Sequence, residues 1–172
     1  MKRKKELKQA KASVKDNSAI SKSSRSGVST RTLLQVALHK LNLHYEFDSD
    51  QNFVVRYQGE YFRIMADDDS KYLDIQDLFW YSAPLDDIDN LSILYKAVNE
   101  CNIYNMARMV YTYDRAENEL NLHTLCKTLF MNQIPHPEAY LETLFENMLQ
   151  IHHFFFHQME KLRREEFGKL NS

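Results

Sequence analysis

Apolar residues in this chain recur first at helical spacing, then in alternation, and then in each once more before a last helical run. That succession limits the architectures open to it. After Ser29-Thr30, residues suited to cap a helix, Leu33, Leu34, Ala37, Leu38 and Leu41 mark one helical face. Alternation then takes over in Tyr45-Glu46-Phe47 and again in Phe53, Val55 and Tyr57. Gly59 supplies a tight turn, and Tyr61–Met65 and Tyr72–Tyr81 read as returning strands, the last ended by Pro84. Asp86 or Asp87 caps a second helix with Ile88, Leu91, Leu94, Tyr95 and Val98 on its buried face, and 99–105 reads as a break. Two more strands follow, one through Ala107, Met109, Tyr111 and Tyr113 and one from Glu119 to about Phe130. Pro135-His136-Pro137 then opens a long helix. The stripe of that helix is Leu141, Leu144, Phe145, Met148, His152, Phe155, Met159 and Leu162. The expectation is an α+β domain built on an antiparallel sheet, with N-terminal, middle and long C-terminal helices.

Charge divides the chain at the start of this pattern. Residues 1–27 hold nine Lys or Arg against two acids and no aromatic, while the remaining residues hold 13 against 22, so a net charge of −2 joins a segment of +7 to a body of −9. With no apolar repeat to bury, 1–27 is expected to be a disordered basic tail and 28–172 the folded domain. No apolar run approaches the roughly 18 residues that span a bilayer, and no apolar stretch follows the first basic residues as in a secretory signal. Cys101 and Cys126 stand in unrelated contexts and are expected to be reduced. A cytoplasmic protein without membrane insertion is expected.

Chemistry is harder to find. The three glycines, Gly27, Gly59 and Gly168, lie far apart, and loops that cradle phosphate through backbone N–H groups need them clustered. His153 and His157 share a helix face and stand beside His152, but no H-E-x-x-H pattern supplies a base, and Phe154-Phe155-Phe156 marks the run as an amphipathic helix. Asp67-Asp68-Asp69 lacks the glycine and terminal glutamate of a calcium loop and reads as a solvated turn. His123 and Cys126 are three apart on one strand and so point to opposite faces, which argues against a nucleophilic dyad. No catalytic group, metal site or cofactor is expected.

The hairpin Asn52-Phe-Val-Val-Arg-Tyr-Gln-Gly-Glu-Tyr-Phe-Arg-Ile-Met65 is followed by Leu91-x-x-Leu94-x-x-Ala97-Val-Asn99 and the stretch A-V-N-E-C-N at 97–102. With these motifs, residues 30–165 resemble the YbjN family, which shares the fold of type III secretion chaperones. The resemblance implies a twisted antiparallel sheet in an often dimeric domain that binds or regulates other proteins, with no active-site residues to carry over. The basic tail and the His- and Phe-rich last helix depart from the family pattern.

Phe79-Trp80-Tyr81 is the candidate recognition surface, since alternation sends two of these rings to one side of a strand and one to the other. Tyr57 and Tyr61, flanking the Gly59 turn, are weaker candidates of the same kind. The reading is a non-catalytic, chaperone-like or regulatory module for a protein partner, with homodimerisation through the sheet or the last helix. The alternative is a nucleic-acid-associated accessory protein that uses residues 1–27 as an electrostatic arm.

Overall fold

The computed structural model describes residues 28–170, with the side chains of Phe167, Lys169 and Leu170 left aside. The expected basic tail of residues 1–27 lies outside the described residues. Helix α1 (Thr30–Lys40) leads into β1 (Tyr45–Phe47), β2 (Phe53–Tyr57), β3 (Glu60–Ala66) and β4 (Tyr72–Pro84). Helix α2 (Ile88–Tyr104), β5 (Arg108–Asp114), β6 (Glu119–Leu129) and α3 (Pro137–Leu170) complete the order. All strand pairs are antiparallel, in the sheet order β1-β2-β3-β4-β6-β5. This is the α+β class expected from the succession of periods.

Local chemistry explains most boundaries. The Ser29 hydroxyl accepts from the Thr32 N–H at 3.2 Å, and the Asp87 carboxylate accepts from the Asn90 N–H at 3.1 Å, so both early helices start at oxygen-bearing caps. Gly59, at φ +93, closes the β2–β3 hairpin after Gln58, itself at φ +48. Helix α2 runs on to Tyr104, past the break expected at 99–105. Of the asparagines that suggested a break, Asn102 ties the helix end to the next strand and Asn105 caps the helix itself. Asn102 accepts from the Met109 N–H at 2.7 Å and donates to the Met109 carbonyl at 3.0 Å, and Asn105 donates to the Cys101 carbonyl at 2.9 Å.

The helices share one face of the sheet. Helix α3, about 50 Å long at 1.5 Å per residue, touches both α1 and α2. It buries Leu141, Leu144, Phe145, Met148, Ile151, Phe155 and Met159 against Phe53, Val55, Phe62, Ile64, Ile75 and Leu122 of the strands. Each fully buried ring or branched chain contributes about 1.5–3 kcal/mol, so this stripe holds most of the molecule together. Among the described residues the other face of the sheet carries no helix. Val54, Tyr61, Met65, Tyr72, Leu125, Leu129 and Val110 lie on it, half-buried or exposed.

Candidate functional site

The feature that sets β4 apart is a break in its pairing with β6. Asp77 faces Thr124 and Tyr81 faces Leu122, so Leu78, Phe79 and Trp80 stand against the single residue His123. Phe79 takes φ +57, a left-handed conformation that costs a bulky residue roughly 1–3 kcal/mol and persists only where neighbours hold it. That twist changes which ring turns outward. Phe79 lies on the open face, edge-on to the His123 ring at 4.6 Å, while Trp80 and Tyr81 turn to the helix face and meet Phe155 and Phe156.

Two histidines hold the bulge from its two sides. On the open face the Phe79 N–H donates to His123 Nδ1 at 3.1 Å, and His123 Nε2 lies 2.8 Å from the Thr112 hydroxyl of β5. On the helix face the His152 ring stacks on Trp80 at 3.9 Å, with Nε2 3.2 Å from the Thr124 hydroxyl and 3.5 Å from Asp77 Oδ2. Asp77 and Thr124 are fully buried, and the Trp80 indole Nε1 is buried without a hydrogen-bond partner. An Asp–His–Thr grouping invites comparison with a hydrolytic triad. Here carboxylate and hydroxyl approach the same ring nitrogen, whereas a proton relay needs them on opposite nitrogens. The cluster is a structural polar contact between strand and helix.

The five aromatic candidates therefore separate. Tyr61, 40% exposed, and Phe79, 37% exposed, stand on the open face, with the Arg56 guanidinium 5.7 Å from the Tyr61 ring centre. Tyr57 packs on Phe145 at 5.2 Å, and Trp80 and Tyr81 are half-buried beneath the same helix. His152 points into the core whereas His153 and His157 face solvent, so these histidines do not converge. Among the described residues no group of three or more His, Cys, Asp or Glu could hold a metal ion. No described helix is long and apolar enough to cross a membrane.

The sequence reading missed the outer side of β5. Among the described residues this seven-residue strand has β6 as its one strand neighbour. Tyr111 and Tyr113 are exposed on it and join Tyr95 of α2 in a ring cluster, with Tyr95–Tyr111 at 5.3 Å and Tyr111–Tyr113 at 5.6 Å. Ile103, Tyr104 and Met106 stand exposed just before it. Burial pushes the Cys101 thiol of α2 up to about 12, with the Glu100 charge adding to the effect, and burial also raises that of Cys126. Neither is a ready nucleophile at neutral pH.

No family model and no curated protein matches this chain. Among solved structures, an uncharacterized protein from Methanothermobacter thermautotrophicus is 12% identical and aligns over 77% of this chain and 97% of its own, with a TM-score of 0.55. The structure of the HopA1-SchA chaperone-effector complex is similar at 16% identity over 76% of this chain and 92% of that one, with a TM-score of 0.46. YbjN, a putative transcription regulator from E. coli, is similar at 10% identity over 77% and 90%, with a TM-score of 0.45. At 12% identity the first of these likenesses speaks to the fold alone.

Proposed function

We propose that this chain is a non-catalytic, chaperone-like or regulatory module that binds an extended segment of a partner protein. The observation that supports the reading best is the β5 edge. Proteins guard an exposed edge with proline, charge or brevity, as β1 with three residues does. The interior of β5 is Met109-Val110-Tyr111-Thr112-Tyr113, uncharged and free of proline. A partner strand laid beside it gains main-chain hydrogen bonds, while Tyr111 and Tyr113 on one face and Val110 on the other select its side chains. Tyr61 and Phe79 extend the contact across the open face, and Tyr57, Trp80 and Tyr81 support it from beneath. A second copy of the chain can occupy the same edge, which is the homodimeric form of this reading. The buried thiols suit a reducing cytoplasm.

The test is a native pull-down with full-length and 28–172 baits, each with and without nuclease, alongside a Tyr111→Lys/Tyr113→Lys bait. A near-stoichiometric protein kept by both lengths and lost with the double variant supports docking at β5. Capture that vanishes with nuclease or with residues 1–27 favours the alternative, a nucleic-acid arm carrying the +7 charge of that segment. Light scattering reads the homodimer: a dimer that survives the double variant lies elsewhere than on this edge.

A further inference from the structure

The hydrogen bond from the Phe79 N–H to His123 fixes the chemistry of that ring. A nitrogen that accepts a backbone N–H carries a lone pair and no proton, so His123 is the neutral tautomer with its hydrogen on Nε2, directed at the Thr112 hydroxyl. The ring is 4% exposed. A proton added to Nδ1 would face the Phe79 N–H, donor against donor, and abolish the bond. Phe79 holds a left-handed backbone that it does not favour by itself, and the bond is made by the displaced residue's own N–H.

We propose that His123 is a proton-sensitive latch, which when neutral fastens Phe79 in the bulge on the open face and when protonated releases it. The device goes beyond the docking reading, because it is a property of the chain alone and needs no partner. Its geometry places a histidine, the side chain that changes charge between about pH 5 and 8, at the point where β4 departs from its ladder. Among the neighbours that face it are the Phe79 ring from β4, and Val110, its register partner, with Thr112 from β5. The charged groups on the same face of these strands are Asp74 of β4, Arg108 and Asp114 of β5, and Glu119 and Lys127 of β6. Asp77 and His152 form the titratable pair on the opposite side of the bulge.

The experiment uses the full chain, labelled for NMR. Ring nitrogen spectra and Phe79 amide exchange are recorded at about pH 7.5 and about pH 5, the two sides of the ordinary histidine range. The expected result is the Nε2–H tautomer of His123 at the higher pH and a protonated fraction that grows toward the lower, against burial and the accepted N–H, both of which favour the neutral ring. Phe79 protection, corrected for intrinsic exchange, should fall about tenfold, the scale of one hydrogen bond, while Val55 and Ile64 in the hairpin stay protected. His123→Asn, which offers an amide oxygen near the Nδ1 position and does not titrate, should hold Phe79 at both pH values. The proposal is overturned by an Nδ1–H tautomer at neutral pH or by a His123 that stays neutral at about pH 5. Protonation with unchanged Phe79 protection, collapse of hairpin protection together with Phe79, or acid release that persists in His123→Asn also overturns it. The wild-type spectra decide the matter even where the variant does not fold.

Discussion

In the β2–β3 hairpin each residue of one strand faces one of the other, from Phe53 opposite Ile64 to Tyr57 opposite Glu60, whereas β4 sets three residues against His123 alone. The hairpin end is locked by ordinary means. Its rings are buried under α3, and the Asp48 turn beside it is sealed by Arg63 at 2.6 Å and by the Asn52 N–H at 2.9 Å. The β4–β6–β5 end adds two imidazoles and a buried carboxylate to its apolar packing, and among the described residues it finishes in an uncovered edge. Apolar packing is indifferent to mild changes of solution, while imidazole hydrogen bonds are not. One sheet thus combines an end held mainly by apolar packing with an end where imidazoles make the key polar contacts.

The sharpest challenge to this contrast is Phe145→Ala, which removes a fully buried ring packed on Tyr57 and Phe62. It should cost about 3–5 kcal/mol in chemical denaturation. Trp80→Ala, at the bulge, should cost roughly 2 kcal/mol, because that indole is only half-buried. Equal losses at the two positions would erase the distinction between the ends. Asp48→Ala should cost about 1 kcal/mol. Burial works to raise the Asp48 pKa, but its bonds to Arg63 and Asn52 outweigh burial and hold it below the ordinary 3.8. The wild-type protein therefore has this stabilisation in full above the ordinary value and loses it as pH falls through the lower folded value. An Asp48→Ala penalty that is the same at neutral pH and well below that range would contradict the assignment.

Thiol labelling sharpens the comparison further. Cys101 and Cys126 are both buried and should react slowly with a soluble disulfide reagent at neutral pH. Labelling of Cys126 in β6 ahead of Cys101 in α2 would show that the bulged end opens locally; simultaneous labelling would show that both wait for global unfolding. The smallest effect is expected from Tyr111→Lys, which should change stability by less than about 0.5 kcal/mol, as for an exposed side chain. A larger loss would make the β5 tyrosines part of the core rather than of a free edge.

Regular periodicity made much of the fold readable. The α1 stripe, the Gly59 hairpin and the α3 stripe from Leu141 to Met159 all follow from residues that bury at a fixed spacing. The bulge had no such signal. A left-handed residue is ordinarily announced by glycine or asparagine, and here it is Phe79, held by His123 from 44 positions away. The end of α2 was hidden because Asn102 and Asn105 read as breakers and act as a tie and a cap. The free edge at β5 depends on β4 pairing with β6 across the intervening α2 and β5, and no spacing within β5 encodes that choice. Of the candidate surface, the prominence of Phe79-Trp80-Tyr81 could be read in advance, but which ring faces out could not.

Trp80 is the single tryptophan of the chain, and its indole lies flat against His152 at 3.9 Å. A protonated imidazole in that position quenches indole emission, whereas a neutral one does so far less. The protein thus carries a built-in optical gauge for the helix side of β4. Its intrinsic fluorescence therefore reports on the contact between β4 and α3, while His123 lies on the far side of the strand.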